Sequence, residues 1–241
     1  MSTQSLDTAP VPEVPEASEA PAITRTWSCV LFDLDGTLVD SAPGIVTRIQ
    51  KTFERLGRPV PPEESLVEWV GPPMLHSLEQ KAGMTPQEAL DALGVYREIS
   101  AQDGAWAGAA VFPGVAGLIR QLHAAGIPIA ITSSKPESQV KDVLTHFDLI
   151  EYFTVIAGAS EDEKRSEKAD VIAEGLRRLG DLGVDLSRLV LVGDRAHDVE
   201  GAAAHGIPTI MVEWGYGSPA EATEAVAVVH STDQLSKLLL G

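Results

Sequence analysis

The chain has 241 residues, enough for one large domain or for a core domain that carries a smaller insert. Its formal net charge of -17 at pH 7 argues against binding to nucleic acid or to an anionic membrane surface, which needs clustered cations. Hydrophobic residues make up 44% of the chain, but no apolar run approaches the roughly 20 residues of a membrane helix, so we expect a soluble protein.

The first 24 residues differ in composition from the rest of the chain. They contain four prolines and three glutamates but no aromatic residue. Such a segment buries too little apolar surface to offset the entropy of ordering, so we predict a disordered, acidic, proline-rich tail over residues 1–24. It has neither the basic start nor the apolar centre of a secretory signal. The single cysteine, Cys29, cannot form an internal disulfide, so we expect a reducing, cytoplasmic location.

After this tail, short apolar runs alternate with longer amphipathic ones. The short runs lie at residues 28–32, 127–133, 153–156, 189–192 and 208–212. Runs of this kind are typical of strands that are buried on both faces of a parallel sheet. Three helical patterns lie between these runs. Their apolar faces consist of Val115, Leu118, Ile119 and Leu122, of Val140, Val143 and Leu144, and of Ile172, Leu176 and Leu179. The pattern predicts an α/β fold, a doubly wound, Rossmann-like parallel sheet with right-handed crossovers.

One long interval after the first apolar run contains no convincing strand. Ile45 and Ile49 stand at helical spacing there, and Thr85 with Glu88 forms a predicted capping box. A helical insert directly after the first strand is placed to lie over the carboxyl edge of the sheet, where ligands bind in such folds. The predicted division is therefore a helical cap over residues 42–108, with the catalytic core formed by residues 25–41 and 109–241.

Two pairs of acids follow predicted strands. Asp33 and Asp35 stand two residues apart before Gly36, and side chains at that spacing share one face of a strand. Taken alone, the Asp-Gly step also suits a β-turn. Asp194 and Asp198 follow a later strand, and either residue alone is also a common helix-capping residue. Because four carboxylates at one edge of a sheet need a cation, the two pairs together predict a magnesium site.

These residues resemble the haloacid dehalogenase-like hydrolase superfamily, in its phosphoglycolate phosphatase-like branch with a C1-type helical cap. The resemblance covers roughly residues 28–240. Four motifs match it in order, namely residues 33–37, residues 132–136, Lys168 within residues 166–170, and residues 193–198.

The resemblance implies a magnesium-dependent phosphomonoester hydrolase for a small phosphorylated metabolite. Asp33 would attack phosphorus and form an aspartyl-phosphate, and Asp35 would act as general acid and base. Magnesium would be held by Asp33, Asp194, Asp198 and the backbone carbonyl of Asp35. The expected substrate-binding residues are Gly36, Thr37, Ser133, Ser134, Lys168 and, in the cap, Arg48. We expect a monomer or a weak homodimer.

The third motif has competing cations. Lys164 and Arg165 stand close to Lys168 in a charged run, but Ser166 is a suitable N-cap. That cap would place Lys168 in the first turn of a helix, near the carboxyl edge of the sheet. In the second motif, Thr132 and Ser134 are alternatives to Ser133 as the hydroxyl that binds the phosphoryl oxygens. Near the fourth motif, we expect His197 to be a surface residue and Arg195 to pair with neighbouring acids.

Two other functions remain open at this point, and a third is disfavoured by the sequence. A β-phosphoglucomutase-like phosphomutase also keeps both aspartates of the first motif and a similar cap. Dehalogenases and phosphonate hydrolases lack the acid that stands at Asp35, since they protonate no alkoxide. A phospho-aspartate signalling or binding module also combines acids, a lysine and magnesium, but it would not carry a large insert after the first strand. The specific substrate is not evident from the sequence.

Overall fold

The computed structural model describes residues 26–241, so the predicted tail lies outside the described residues. In chain order these residues form eight strands, β1 Cys29–Phe32, β2 Val39–Asp40, β3 Ala110–Val111, β4 Ile129–Pro136, β5 Val155–Ala159, β6 Leu189–Gly193, β7 Thr209–Val212 and β8 Ala227–Val229. Six of them are parallel and form one sheet in the order β5-β4-β1-β6-β7-β8. All five predicted strands are present. The short edge strand β8 and the pair formed by β2 and β3 were not predicted.

Nine α-helices lie within the described part of the chain. They are α1 Ala42–Arg55, α2 Glu63–Leu66, α3 Met74–Gln80, α4 Pro86–Asp103, α5 Val115–Ala124, α6 Glu137–His146, α7 Lys168–Asp181, α8 Ala196–Ala203 and α9 Thr232–Leu240. No helix among residues 26–241 has the length and hydropathy that crossing a bilayer requires. The predicted α/β fold with a parallel, Rossmann-like sheet is confirmed.

The central strand β1 shows why these apolar runs become buried strands. Val30 and Phe32 point to one face of the sheet, where they join the hydrophobic cluster formed with α5, α6 and α9. Cys29 and Leu31 point to the other face and join the cluster formed with α7 and α8. Alternate side chains of one strand therefore contribute to two cores, which requires a continuous apolar sequence rather than an alternating one.

Helices α1 to α4 lie between β2 and β3 in the chain and share a hydrophobic cluster of their own. The cluster includes Ile45, Ile49, Phe53, Leu66, Trp69, Leu78, Leu93 and Tyr96. The predicted capping box is present, with Thr85 and Glu88 bonded in both directions at the start of α4. The antiparallel pairing of Val39 with Val111 and of Asp40 with Ala110 holds the two ends of this insert together at the sheet edge.

Candidate active site

The site forms where neighbouring parallel strands end. Strand β1 pairs with β6, so the acids that follow the two strands meet at one edge of the sheet. Carboxylate oxygens of Asp33, Asp194 and Asp198 all lie within 4.8 Å of one another, and the three side chains are buried. Oxygen ligands of this kind suit a hard cation such as Mg²⁺. The geometry thus brings both predicted acidic pairs together, with three of the four acids in position to hold a metal ion.

Lys168 is the cation that the structure places among these acids. Its Nζ lies 2.6 Å from Asp33 Oδ1 and 2.7 Å from Asp198 Oδ1, and the residue is 3% exposed. Burial lowers the pKa of Lys168, but the carboxylates of Asp198 and Asp33 outweigh it and raise that pKa above its ordinary value. Lys168 is therefore charged, and it lies at the first residue of α7 as expected. Glu167, not Ser166, occupies the N-cap position of this helix and makes no side-chain capping bond, so the predicted N-cap was one residue too early.

One lysine does not neutralise the acids around it. Burial raises the pKa of Asp33 to about 7, although Lys168 opposes the change. Burial, together with Asp198 and Asp33, also raises the pKa of Asp194 well above its ordinary value. Buried carboxylates this close together repel one another, so a further cation beside Lys168 would favour their ionised forms.

Asp194 is held in place by groups distant in sequence. Its Oδ2 accepts a hydrogen bond of 2.7 Å from the backbone N–H of Tyr216, and its Oδ1 lies 3.4 Å from Thr37 Oγ1. Gly36 has φ +86°, and a Cβ there would collide with the Asp194 carboxylate. A Cβ at Gly215 would collide with the same side chain. Gly36 and Thr37, expected to bind substrate, thus lie against Asp194 and shape its position.

Asp198 has both of the functions that the sequence allowed, helix capping and a contribution to the cation site. Its Oδ2 accepts hydrogen bonds of 3.0 Å from the backbone N–H groups of Asp194 and Arg195, as a capping residue does. Its Oδ1 faces Lys168. Burial alone would raise the pKa of Asp198, but Lys168 and His197 lower it. Asp198 is therefore a carboxylate that fixes the turn before α8 and still presents an oxygen to the site.

The second motif contributes Lys135, which the sequence analysis did not assign to the site. Its Nζ lies 2.6 Å from Asp35 Oδ2, and both side chains are almost fully buried. Strand β4 is the neighbour of β1 in the sheet, so its carboxyl end brings Lys135 against Asp35. The sequence shows a lysine within the second motif, which could have marked it as a site residue. Which acid it pairs with depends on the order of the strands, and the motif does not give that order.

The three hydroxyl residues of the second motif differ in their surroundings. Ser133 is buried, and its Oγ accepts a hydrogen bond of 3.3 Å from the backbone N–H of Lys135. The hydroxyls of Thr132 and Ser134 are buried and lack hydrogen-bond partners among the described residues. Ser134 also lines the cavity between α1–α4 and the sheet edge. The assignment of Ser133 as the phosphoryl-binding hydroxyl stays a prediction, with Ser134 as its competitor.

Arg48 does not lie where it was expected. It is buried, and its Nη1 donates to Ser100 Oγ and to the backbone oxygens of Gly104 and Ala105. These bonds fasten α1 to the end of α4, and Arg48 is not among the residues that line the cavity. Arg48 was expected to bind substrate, but these contacts give it a structural function instead.

His197 was expected at the surface but is half-buried. Its Nε2 lies 3.8 Å from Asp198 Oδ1, and a Cβ at Gly71 would lie 3.0 Å from its Cε1, so the residue is covered by the loop after Val70. Arg195 pairs with an acid as expected, since its Nε lies 3.0 Å from Glu221 Oε2. It also donates to the backbone oxygen of Val70 at 2.9 Å, which joins the fourth motif to the helical insert.

Comparison with known proteins assigns this arrangement to one family. The model of the family described as haloacid dehalogenase-like hydrolase matches residues 30–212, which contain all four motifs. Tyrosine-protein kinase PtkA of Mycobacterium tuberculosis is 42% identical over 214 residues, which cover 87% of this chain and 72% of that protein. The phosphoglycolate phosphatase (plasmid) of Cupriavidus necator is 34% identical over 225 residues, which cover 90% of this chain and 95% of that protein.

Solved structures agree with these sequence relatives. A crystal structure of a protein described as a predicted phosphatase, from Clostridium acetobutylicum, matches with a TM-score of 0.81 and 34% identity. The match covers 88% of this chain and 97% of that one. The resemblance noted in the sequence is thereby confirmed over the core and the insert alike. This chain belongs to the haloacid dehalogenase-like hydrolase family, and it is a phosphatase of that family.

Proposed function

We propose that the protein hydrolyses a small phosphomonoester by forming an aspartyl-phosphate on Asp33, with magnesium as cofactor. The observation that carries this proposal is the contact of Lys168 Nζ with Asp33 Oδ1 at 2.6 Å, inside a cluster of three buried carboxylates. A carboxylate held beside a buried cation at the end of a strand is suited to nucleophilic attack on an anionic ester. The relatives named phosphoglycolate phosphatase support a small phosphorylated metabolite as substrate.

The donor set fits magnesium. The carboxylates of Asp33, Asp194 and Asp198 would hold the ion. The family resemblance adds the backbone carbonyl of Asp35 as a further ligand. All of these ligands are oxygens, and all three carboxylates are buried, where a divalent cation offsets their mutual repulsion. When bound, the ion supplies positive charge that lets an anionic nucleophile approach an anionic phosphoryl group.

The residues of this chain account for both steps of the reaction. Asp33 forms a bond to phosphorus as the ester P–O bond breaks, and Asp35 gives a proton to the departing alkoxide. Asp35 then takes a proton from the water that cleaves the aspartyl-phosphate, which restores Asp33 and releases inorganic phosphate. Lys168 lies beside the attacking oxygen and stabilises the charge on the phosphoryl oxygens. Lys135 orients the Asp35 carboxylate through its 2.6 Å contact.

A second candidate is transfer of the phosphoryl group to an acceptor other than water. The observation that favours it is the 42% identity to a protein named a tyrosine kinase. A phosphomutase falls in the same class, since it also returns the phosphoryl group to an organic acceptor. Both alternatives use the aspartyl-phosphate of Asp33, so they differ from hydrolysis only in the fate of that intermediate.

The test is phosphate release from a panel of phosphorylated metabolites, with and without magnesium, in water enriched in ¹⁸O. Hydrolysis predicts one ¹⁸O atom in each inorganic phosphate that is released, whereas transfer to an organic acceptor releases none. We expect Asp33→Asn to abolish turnover, with the exposed Asp142→Asn as the matched control that retains it. Activity that survives exhaustive chelation of divalent metals, or a phosphoenzyme trapped on a residue other than Asp33, would contradict the proposal.

A further inference from the structure

The loop at residues 214–217 packs around the carboxylate of Asp194. Within this loop the backbone N–H of Tyr216 donates to Asp194 Oδ2 at 2.7 Å. A Cβ at Gly215 would lie 2.4 Å from Asp194 Cβ, and a Cβ at Gly217 would lie 1.9 Å from the Asp194 backbone oxygen. The two glycines thus let the loop pack directly against a predicted metal ligand. Because close-packed groups transmit a displacement instead of absorbing it, a shift of this loop also shifts Asp194.

The same loop is bonded to the start of the helical insert. The hydroxyl of Tyr216 accepts hydrogen bonds from the backbone N–H groups of Ser41 and Ala42 at 2.7 and 2.9 Å. It donates to Asp40 Oδ1 at 2.8 Å. These three residues lie where the chain leaves β2 and enters α1, which is the first connection between the core and the insert. Tyr216 therefore contacts a predicted metal ligand with its backbone and the start of the insert with its side chain.

The fourth motif and the insert are joined by one more hydrogen bond. Arg195 Nη1 donates to the backbone oxygen of Val70 at 2.9 Å. Its Nε pairs with Glu221, and no hydrogen bond from the Arg195 side chain to the Asp194 carboxylate is found among residues 26–241. Tyr216 differs because it contacts that carboxylate directly, so it is better placed than Arg195 to link the metal site with the insert.

We infer, on the basis of the metal site proposed above, that Tyr216 is a positioning residue that couples magnesium binding at Asp194 to docking of the helical insert on the core. An insert held by the Tyr216 hydroxyl keeps the backbone N–H of that residue against Asp194. An ion bound to Asp194 in turn holds the loop where its hydroxyl caps α1. Groups that orient a metal ligand alter the affinity of the site, and coupling of this kind is reciprocal, so each event favours the other by the same factor.

Tyr216→Phe tests the coupling, since it removes the hydroxyl and keeps the backbone N–H. Calorimetric titration of the full chain with magnesium alone should give a dissociation constant at least about fivefold weaker for this variant than for the parent. Hydrogen exchange supplies the reciprocal measurement at Ile45, whose N–H donates to the Ser41 oxygen within α1 and not to Tyr216. Magnesium should slow that exchange at least about fivefold in the parent but less than about twofold in Tyr216→Phe.

The first turn of α9 provides an internal control within the same chain. The N–H of Leu235 donates to the oxygen of Ser231, the N-cap of α9, just as Ile45 does to the N-cap of α1. Its exchange should not respond to magnesium. Each variant is compared with itself, with and without magnesium, so a uniform loss of stability does not produce the expected result.

Two further variants make the result specific. Asp40→Asn keeps an oxygen that accepts from the Tyr216 hydroxyl, so its magnesium affinity should stay within about twofold of that of the parent. Arg195→Met removes the bond to Val70, and magnesium should still slow the exchange of Ile45 in this variant.

Equal magnesium affinity in the parent and in Tyr216→Phe would overturn the inference, because Tyr216 would then be a helix cap and nothing more. A magnesium effect on Ile45 that is lost in Arg195→Met but kept in Tyr216→Phe would also overturn it, and would assign the coupling to Arg195. Failure of the parent to bind magnesium would overturn the proposed metal site as well, so that failure is distinguishable from a loss of coupling alone.

Discussion

The hydroxyl of Tyr216 caps the first helix of the insert at Ser41. It accepts a hydrogen bond of 2.7 Å from the Ser41 backbone N–H and one of 2.9 Å from that of Ala42. Ser41 makes no side-chain capping bond of its own, so a residue far along the chain takes that function. The hydroxyl donates in turn to Asp40 Oδ1 at 2.8 Å, and the backbone N–H of Tyr216 binds Asp194. One residue thus joins the start of α1 to a predicted metal ligand.

Tyr216→Phe should destabilise the protein by about 1–2 kcal/mol, because it removes a helix cap and leaves two N–H groups and a carboxylate without their partner. Urea denaturation measures the change in free energy, and hydrogen exchange should become faster at the first turn of α1. Tyr152→Phe is the matched control, since no hydrogen bond of its hydroxyl is found among the described residues, and it should have little effect. Equal destabilisation by the two variants would show that the capping bonds contribute nothing.

Lys168→Ala should lower kcat by about 10²–10³, the usual loss when a charge-stabilising donor is removed from an active site. The physical reason is its contact with both Asp33 and Asp198, which no neighbouring cation replaces in the described part of the chain. Lys164 is exposed and paired with Asp162, and Arg165 donates to the backbone oxygen of Gly158. Steady-state kinetics should therefore show losses below about tenfold for Lys164→Ala, whose exposed pair contributes little, and for Arg165→Ala, whose guanidinium donates to a backbone oxygen and, among the described residues, not to the acidic cluster.

A greater loss from Lys164→Ala or Arg165→Ala than from Lys168→Ala would show that the third motif has been misplaced. Circular dichroism of all three variants separates a loss of rate from a loss of folding. That control matters because Lys168→Ala leaves two buried carboxylates without their cation.

The parts of the fold that depend on local pattern were predictable from the sequence. Strands buried on both faces need continuous apolar runs, and the central strands of this sheet have them. The capping box at Thr85 is a local motif and was found as such. Strand β8 escaped prediction because it is a three-residue edge strand with one side chain buried, so its sequence carries no strong period.

The site was predictable as far as the motifs reach. Asp33, Asp194, Asp198 and Lys168 stand in motifs, and the structure brings them together. The partners of Asp35 and Asp194 depend on which strands are neighbours and how a distant loop returns, and spacing along the chain does not encode this. Arg48 shows the opposite error, because a cation on the inner face of a cap helix was assigned to substrate although it binds backbone oxygens.

Magnesium should raise the melting temperature of the protein, because an ion that binds the folded cluster and not the unfolded chain stabilises the folded state. At a concentration of 100 times its dissociation constant the gain is about 2.7 kcal/mol. Asp194→Asn should remove most of this gain, since Asp194 is one of the three clustered carboxylates. Thermal denaturation with and without magnesium measures this gain in stability. Asp142→Asn is the control, and it should keep the full shift in melting temperature. A gain in Asp194→Asn equal to that of the parent would exclude this cluster as the binding site.

The buried thiol of Cys29 should make the stability of the folded protein fall as the pH becomes alkaline. Burial raises the pKa of its thiol from 9.0 to about 12 in the folded chain, so the unfolded chain loses this proton first as the pH rises. The stability that comes from the protonated thiol is complete below pH 9 and is lost progressively as the pH rises from about 9 to 12. Between pH 8 and pH 10 the loss is about 1 kcal/mol.

Urea denaturation of the parent and of Cys29→Ala at the two pH values measures this loss, because other titrating groups contribute equally to both chains and cancel in the difference. The variant is less stable at each pH, since it removes a buried side chain, but its decline between pH 8 and pH 10 should be smaller by about 1 kcal/mol. The folded parent should also resist alkylation by iodoacetamide at pH 8, because the thiolate is the reactive form and the thiol is fully buried. Parallel declines in the two chains, together with rapid alkylation of the folded parent, would show that Cys29 ionises in the native state.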